Sequence, residues 1–119
     1  MDLESFREYC LSKAHVTEGT PFGETVLVFK VDGKVFALAS LDDLPAKVNL
    51  KCDPDRALDL RDRYEEVQPG YHMSKKHWNT VQLEGAIPPA EIRQMIDHSY
   101  DLVVAGLPKA NRERLKKDR

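Results

Sequence analysis

The sequence predicts an α+β fold in which a single antiparallel sheet is backed by helices. Three observations predict it: a helical stripe of apolar residues at the start of the chain, an Asp32-Gly33 pair between two β-branched segments, and a second helical stripe near the end. With 119 residues, 41% of them hydrophobic, the chain has the length and the apolar content for one continuous core. We therefore expect one domain over residues 1–108, followed by a basic segment over residues 109–119.

The first elements are a helix and a hairpin. Apolar residues recur at helical spacing over residues 3–14, directly behind Asp2, which is a good N-cap. Residues 24–40 then form two β-branched and aromatic runs around Asp32-Gly33, the pair that best tolerates the positive φ angles of a tight hairpin turn. Thr20-Pro21-Phe22-Gly23 predicts a turn just before the hairpin, and we assign Phe22 of this turn to the core.

A further strand and a short helix follow the hairpin. Residues 46–52 alternate apolar and polar side chains, which predicts a strand with one buried face and one wet face that carries Lys47 and Lys51. Asp53 and Pro54 then supply the N-cap and the first turn of a second helix.

The second half begins with residues 67–83, which predict a strand, a polar loop and another strand. Pro88-Pro89 starts a long helix that ends at Gly106, and its apolar stripe should pack on the sheet. Residues 109–119 contain Leu115 as their only sizeable apolar side chain, so we expect a frayed helix or a disordered tail.

The charge is uneven along the chain. The net charge is −2, but residues 1–66 carry 14 acidic and 9 basic side chains, whereas residues 67–119 carry 6 acidic and 9 basic ones. A surface that binds anions is therefore expected in the second half.

The N-terminus lacks the layout of a secretory signal, and no apolar run approaches the roughly 20 residues that cross a bilayer. These features predict a cytoplasmic protein with no membrane contact, in which Cys10 and Cys52 are reduced and structural.

The segment from Pro69 to Thr80 is the strongest candidate for a binding site. It contains lysines that can neutralise phosphate charge, Lys75 and Lys76, and aromatic side chains that can stack on a base, Tyr71 and Trp78. Its hydroxyl and amide side chains can donate hydrogen bonds to phosphate oxygens; they are Ser74, Asn79 and Thr80. Further lysines would enlarge this surface if they lay beside it; they are Lys30, Lys34, Lys47 and Lys51. The alternative is a solvated loop tip beside a tryptophan of the core.

Other chemistries find little support in the sequence. His72 and His77 are five residues apart with no third ligand at a motif spacing, so we expect no metal and no cofactor. Asp97-His98-Ser99 has the residue types of a hydrolytic triad, but consecutive residues on a helix point about 100° apart and cannot form the required chain of hydrogen bonds. We therefore expect a protein that is not an enzyme.

The chain resembles the MmcQ/YjbR family of small bacterial proteins. The resemblance rests on segments from both halves: Pro21-Phe22-Gly23, the hairpin over residues 26–39, residues 48–54, Pro69-Gly70-Tyr71-His72-Met73, residues 75–80 and residues 97–103. It implies an α+β fold likened to secretion chaperones and to the frataxin-like arrangement, with a double-wing motif proposed to bind DNA. Carried over position by position, the implied binding residues are His72, Lys75, Lys76, His77, Trp78 and Asn79.

Three hypotheses follow. The first is a DNA-binding module in which Lys75 and Lys76, assisted by Lys51, contact phosphates while Asn79 and Trp78 position the loop. The second is a protein-interaction adaptor or chaperone-like dimer that binds a protein partner. The third is a small-molecule-binding domain, which requires a concave pocket beneath residues 72–77.

Overall fold

The computed structural model of the chain describes residues 1–71 and 73–118, and it shows a six-stranded sheet with helices. The elements in chain order are α1 (Leu3–Leu11), β1 (Val16–Gly19), β2 (Val26–Val31), β3 (Lys34–Ser40), β4 (Lys47–Lys51), α2 (Pro54–Arg63), β5 (Val67–Pro69), β6 (Trp78–Gln82), α3 (Pro89–Ala105) and α4 (Lys109–Asp118). The strand order is β1-β2-β3-β4-β6-β5, and every neighbouring pair is antiparallel. The predicted fold class is confirmed.

The predicted helix caps and hairpin turn are also confirmed. The Asp2 carboxylate accepts a hydrogen bond from the backbone N–H of Ser5 at 2.7 Å, which satisfies a donor at the start of α1. Asp53 caps α2 in the same way. Between β2 and β3, Asp32 and Gly33 have φ angles of 49° and 83°, the left-handed values that this turn requires.

All four helices pack on one face of the sheet. Their buried side chains belong to the same core cluster as those of the strands, and aromatic pairs anchor it: Phe6 of α1 meets the Phe29 ring edge-on, and Phe36 meets Tyr100 of α3 likewise. Tyr100 also donates a hydrogen bond from its hydroxyl to the Ala14 carbonyl at 2.7 Å. The helices therefore form one layer and the sheet the other.

The opposite side of the sheet, which we call the open face, is not covered by the described helices. Strand residues alternate between the two faces, so the neighbours of buried core residues such as Val48 and Leu50 point away from the helices. Along β4 these neighbours are Lys47, Asn49 and Lys51, which stay exposed or half-buried.

The structure corrects the assignment of Phe22 to the core. Its side chain is 68% exposed, in a turn closed by a hydrogen bond from Gly23 N–H to the Thr20 carbonyl at 3.3 Å. The strand before this turn, β1, has three exposed residues of its four, so it lacks the apolar alternation that marks a half-buried strand.

The structure also corrects the expectation of a frayed or disordered tail. Lys109–Asp118 is a helix, and its Leu115 is 1% exposed within the core cluster. Asn111 donates a hydrogen bond to Asp32, and His15 contacts Asp118 at 2.5 Å. One buried leucine and two polar contacts to distant residues hold this helix in place. None of the described helices, this one included, has the length and hydropathy of a membrane span.

Candidate nucleic-acid interface

Residues 73–77, which we call the basic loop, join β5 to β6. The loop closes with hydrogen bonds from the backbone N–H groups of His77 and Trp78 to the Ser74 carbonyl, at 3.2 and 2.9 Å. Lys75, Lys76 and His77 are all exposed. His72, the remaining predicted binding residue of this segment, lies outside the described residues.

Gly70 allows the chain to pass close to Trp78. Its backbone N–H donates to the Trp78 carbonyl at 2.8 Å, and a Cβ at this position would lie only 2.8 Å from the Cβ of Trp78. Lys75 reaches back to the same turn, since its ammonium donates to the Gly70 carbonyl at 3.2 Å. The loop is therefore held at its base, and the Lys75 ammonium keeps further protons for another acceptor.

Arg61 of α2 fixes the loop from the helix side. Its Nε donates to Oδ1 of Asn79 at 2.8 Å, and its terminal nitrogen donates to the carbonyls of Lys75 and Trp78. Asn79 is 2% exposed and points into the core layer, so it does not share the surface of the lysines with which it was grouped. Asn79 can act on the loop only through contacts such as the one with Arg61.

Trp78 and Lys51 share the open face. They are register partners on β6 and β4, and both are half-buried. The backbone N–H of Cys52 donates to the His77 carbonyl at 2.8 Å, which ties the end of β4 to the basic loop. Lys51 therefore lies beside the loop, which is the arrangement needed for it to enlarge the positive surface.

Positive charge on the open face comes from three strand lysines: Lys30, Lys47 and Lys51. Glu18 is the one acidic residue within the described strands, and it turns to the helix side, where it accepts a hydrogen bond from Arg7 at 2.8 Å. The open face thus carries lysines and, in its strands, no carboxylate.

Three cations of the helix layer form ion pairs. Arg7, Lys13 and Arg63 each pair with a carboxylate within 4 Å. Among residues 1–71 and 73–118, no such pair involves Lys75, Lys76 or the three lysines of the open face. The sums over the two halves of the sequence do not reveal the positive open face, because Lys30, Lys47 and Lys51 come from the more acidic half.

A polar chain crosses the middle of the open face. Thr80 donates from its hydroxyl to Oδ1 of Asn49 at 2.5 Å, and the same hydroxyl accepts from the backbone N–H of Tyr71 at 3.0 Å. With its oxygen engaged, the Asn49 side chain has the two N–H bonds of its amide as hydrogen-bond donors.

The residues that suggested other chemistry are engaged elsewhere. Ser99 Oγ donates to the Phe36 carbonyl at 2.5 Å and accepts from the Lys51 N–H at 2.9 Å. His98 accepts from the Asp53 N–H at 3.1 Å, and Asp97 contacts Lys13 at 2.5 Å. Asp97, His98 and Ser99 therefore point to separate partners, as expected of consecutive helical residues.

The two thiols are protonated at neutral pH. Burial raises the pKa of Cys52 to about 11 and that of Cys10 to about 12. Both cysteines are free and buried, in agreement with the structural role expected of them.

A cleft lies beneath β4 and β6 on the helix side, lined by Cys52, Arg56, Asn79, Met95 and His98 among others. Its volume of about 10 Å³ is that of roughly one water molecule. Nδ2 of Asn79, which has no hydrogen-bond partner among the described residues, is the buried donor that lines it. A cleft of this size does not favour the small-molecule hypothesis.

Comparison with known proteins identifies the family. The YjbR family model matches residues 11–102. The Escherichia coli K12 protein YjbR is 32% identical over 116 residues, which cover 97% of this chain and 98% of that protein. The protein YbdF of Escherichia coli O157:H7 is 43% identical over 97 residues, which cover 81% of this chain and 79% of that protein.

Solved structures agree. A Deinococcus radiodurans protein with a DUF419 domain superposes with a TM-score of 0.90 and 36% identity, over 97% of this chain and 88% of that one. A Pseudomonas syringae protein gives a TM-score of 0.76 and 28% identity, over 86% of this chain and 98% of that one. The chain belongs to the YjbR family.

Proposed function

We propose that this protein binds nucleic acid, without catalysing a reaction, through the basic loop and the adjoining open face. The observation that carries the proposal is that the strands of the open face present lysines and no carboxylate, beside the exposed lysines of the basic loop. Although the whole chain is acidic, the lysines of the loop and of the open face have no carboxylate partner among the described residues. In nucleic acids, the groups that such a positive surface binds are the backbone phosphates.

Each residue has a defined part in this proposal. Lys75 and Lys76 contact phosphates from the exposed loop, and Lys51 adds a third cation from β4. Trp78 holds the base of the loop and presents part of its ring on the open face. Asn79 acts from the helix side of the sheet. It accepts a hydrogen bond from Arg61, and Arg61 in turn donates to the carbonyls of Lys75 and Trp78.

The test is a salt series. Fluorescence anisotropy with a labelled DNA duplex should give an affinity that falls as salt rises, because bound lysines release counterions. The Lys75→Ala plus Lys76→Ala variant should reduce the slope of log K against log salt by about 1.8, the value for two phosphate contacts.

The control is a second adjacent lysine pair. Lys116 and Lys117 are exposed on α4, which packs in the helix layer, so their double alanine variant removes the same charge from another surface. The proposal predicts a slope close to that of the wild type for this control. Equal slopes for the loop variant and the wild type would overturn it.

A second candidate function is protein interaction, the adaptor or chaperone-like dimer. Three apolar side chains are exposed at the end of the sheet remote from the basic loop: Phe22 at 68%, Leu41 at 42% and Leu44 at 95%. A hydrogen bond from the Leu41 N–H to the Thr25 carbonyl at 2.8 Å brings their two loops together. Exposed apolar clusters of this kind are typical of protein contacts.

Light scattering over a concentration series tests this candidate. A dimer formed through these loops should dissociate in the Phe22→Ser plus Leu44→Ser variant, whose exposed substitutions leave the core intact. If the wild-type protein stays monomeric at every concentration, the dimer hypothesis is wrong.

A further inference from the structure

We propose that the nucleic acid bound by this protein is single-stranded and crosses the open face, from the basic loop to a groove between β1 and β2. This inference rests on the proposed function and adds the form of the ligand and its path. It is carried by the groove, by the central row of the open face, and by the positions of the lysines around that row.

The groove is the first observation. It has a volume of about 370 Å³ and is lined by Thr17, Glu18, Gly19, Thr20, Pro21, Val28 and Lys30. The one carboxylate in this lining, that of Glu18, is paired with Arg7. Val28 is only 1% exposed although it is not part of the core cluster, so its neighbours on the open face cover it. This volume lies in the range of small-ligand sites and suits one flat base, with the Lys30 ammonium placed for its phosphate.

The second observation is a neutral row that connects the groove with the basic loop. The strand registers place six residues side by side across the sheet: Gly19, Val28, Leu38, Asn49, Thr80 and Gln68. Five steps between neighbouring strands make this row roughly 24 Å long. Its side chains offer apolar contact and amide groups but no charge, which suits the faces and edges of bases.

The third observation is the arrangement of cations around this row. Lys30 and Lys51 lie two residues beyond Val28 and Asn49 on their strands and therefore flank the row on one side. Lys47 lies two residues before Asn49 and flanks it on the other side. This arrangement fits a single nucleic-acid strand whose bases contact the neutral row and whose phosphates lie beside the row, near the lysines.

This geometry favours a single strand over a duplex. In a duplex the bases are paired and stacked inside the helix, so their faces cannot lie on a sheet, and the central row would remain unused. In a single strand the same faces are free to contact the half-buried Leu38 and the ring of Trp78, and stacking on such side chains does not depend on base sequence. The amide N–H groups of Asn49, on the same face, add hydrogen-bond donors for base edges.

The experiment compares two probes, a thymidine homopolymer of about 15 nucleotides and its duplex with the adenosine homopolymer. Trp78 is the only tryptophan, so its fluorescence reports contact directly. We expect the single strand to bind at least tenfold more tightly than the duplex and to quench this fluorescence. The Lys30→Ala plus Lys47→Ala variant, whose changes lie outside the basic loop, should weaken single-strand binding about tenfold.

The outcomes separate the two proposals. Binding of neither probe at low salt would remove nucleic-acid binding itself. Equal or tighter binding of the duplex, or single-strand binding that the Lys30 and Lys47 changes leave intact, would overturn the path across the open face while the proposed function stands. The Lys116→Ala plus Lys117→Ala variant is the control for charge, and it should bind the single strand like the wild type.

Discussion

Lys51 on β4 and Trp78 on β6 are register partners, and both project onto the open face. Their strands are separated in the sequence by α2, β5 and the basic loop, yet this pairing sets a lysine of the sheet next to the residue that ends the loop. Cross-strand partners of this kind lie about 5 Å apart at their Cβ atoms. The pair therefore joins the two parts of the proposed interface into one surface.

The contacts of Arg61 should support the basic loop. Arg61→Ala removes a charged donor from Asn79 and from two loop carbonyls, so we expect a loss of about 1–3 kcal/mol in the free energy of unfolding, measured by urea denaturation. Arg93→Ala, an exposed change on α3, should stay within about 0.5 kcal/mol of the wild type. Equal stability of the two variants would mean that the Arg61 contacts do not hold the loop.

Gly70 should tolerate no side chain. A Cβ there would lie 2.8 Å from the Trp78 Cβ and 2.9 Å from its carbonyl oxygen, so Gly70→Ala must displace β6 or the turn and should cost about 1–3 kcal/mol in urea denaturation. Gly19→Ala is the matched control, because the nearest neighbour of its added Cβ, the Cδ of Pro21, is 4.0 Å away. A Gly70→Ala variant as stable as this control would contradict the close approach of the two chain segments.

Leu115 should anchor α4. Since it is 1% exposed within the core, Leu115→Ala should lower the free energy of unfolding by about 2–5 kcal/mol. The comparison is Leu58→Ala on α2, where the leucine is 59% exposed and the expected change is under about 0.5 kcal/mol. If removing Leu115 has as little effect as removing Leu58, the helix is not part of the core.

His98 should make stability depend on pH. Burial, followed by the nearby Arg56, lowers the pKa of His98 below its ordinary 6.5, and outweighs the opposite effect of Asp53 and Asp101. Between the folded and the unfolded pKa the unfolded chain binds more protons, so this contribution to stability is complete above pH 6.5 and declines as the pH falls below it.

Urea denaturation at pH 7.5 and at pH 5.5 measures this effect. The drop between the two values should be smaller in His98→Gln than in the wild type. His77→Gln, a change on the exposed loop, should keep the full drop. An unchanged drop in His98→Gln would assign the dependence to other groups.

Much of the fold follows from local patterns in the sequence. Asp32-Gly33 specifies the hairpin turn, Asp53 and Pro54 specify the start of α2, and the apolar stripe over residues 92–103 specifies the buried side of α3, because each depends only on residues within a turn or a strand. The predictions that Phe22 is in the core and that the segment around Leu115 is frayed or disordered were wrong for the same reason. Whether a single apolar side chain is buried depends on elements distant in the sequence.

The interface was less accessible to sequence reasoning. Lys30, Lys47 and Lys51 share a face only because of the strand order and registers, which no local pattern contains. The loop lysines stand out in the sequence, but the contact between Arg61 and Asn79 spans two elements. The sequence did contain a sign that Arg61 has a structural role. Arg61 lies at helical spacing from the buried Ala57 on α2, and a charged residue on the buried side of a helix needs a partner inside the fold.

The most direct measurement of the central claim is an NMR titration of the wild-type protein with the thymidine homopolymer. Side-chain amide signals report the two sides of the sheet separately, because Asn49 and Gln82 lie on the open face, whereas Asn79 faces the helices and Gln94 lies on α3. We expect the Asn49 and Gln82 amides and the Trp78 indole N–H to shift while those of Asn79 and Gln94 stay in place. Shifts confined to the helix-layer amides, or no shifts at all, would contradict the assignment of nucleic-acid binding to the lysine-bearing side of the sheet.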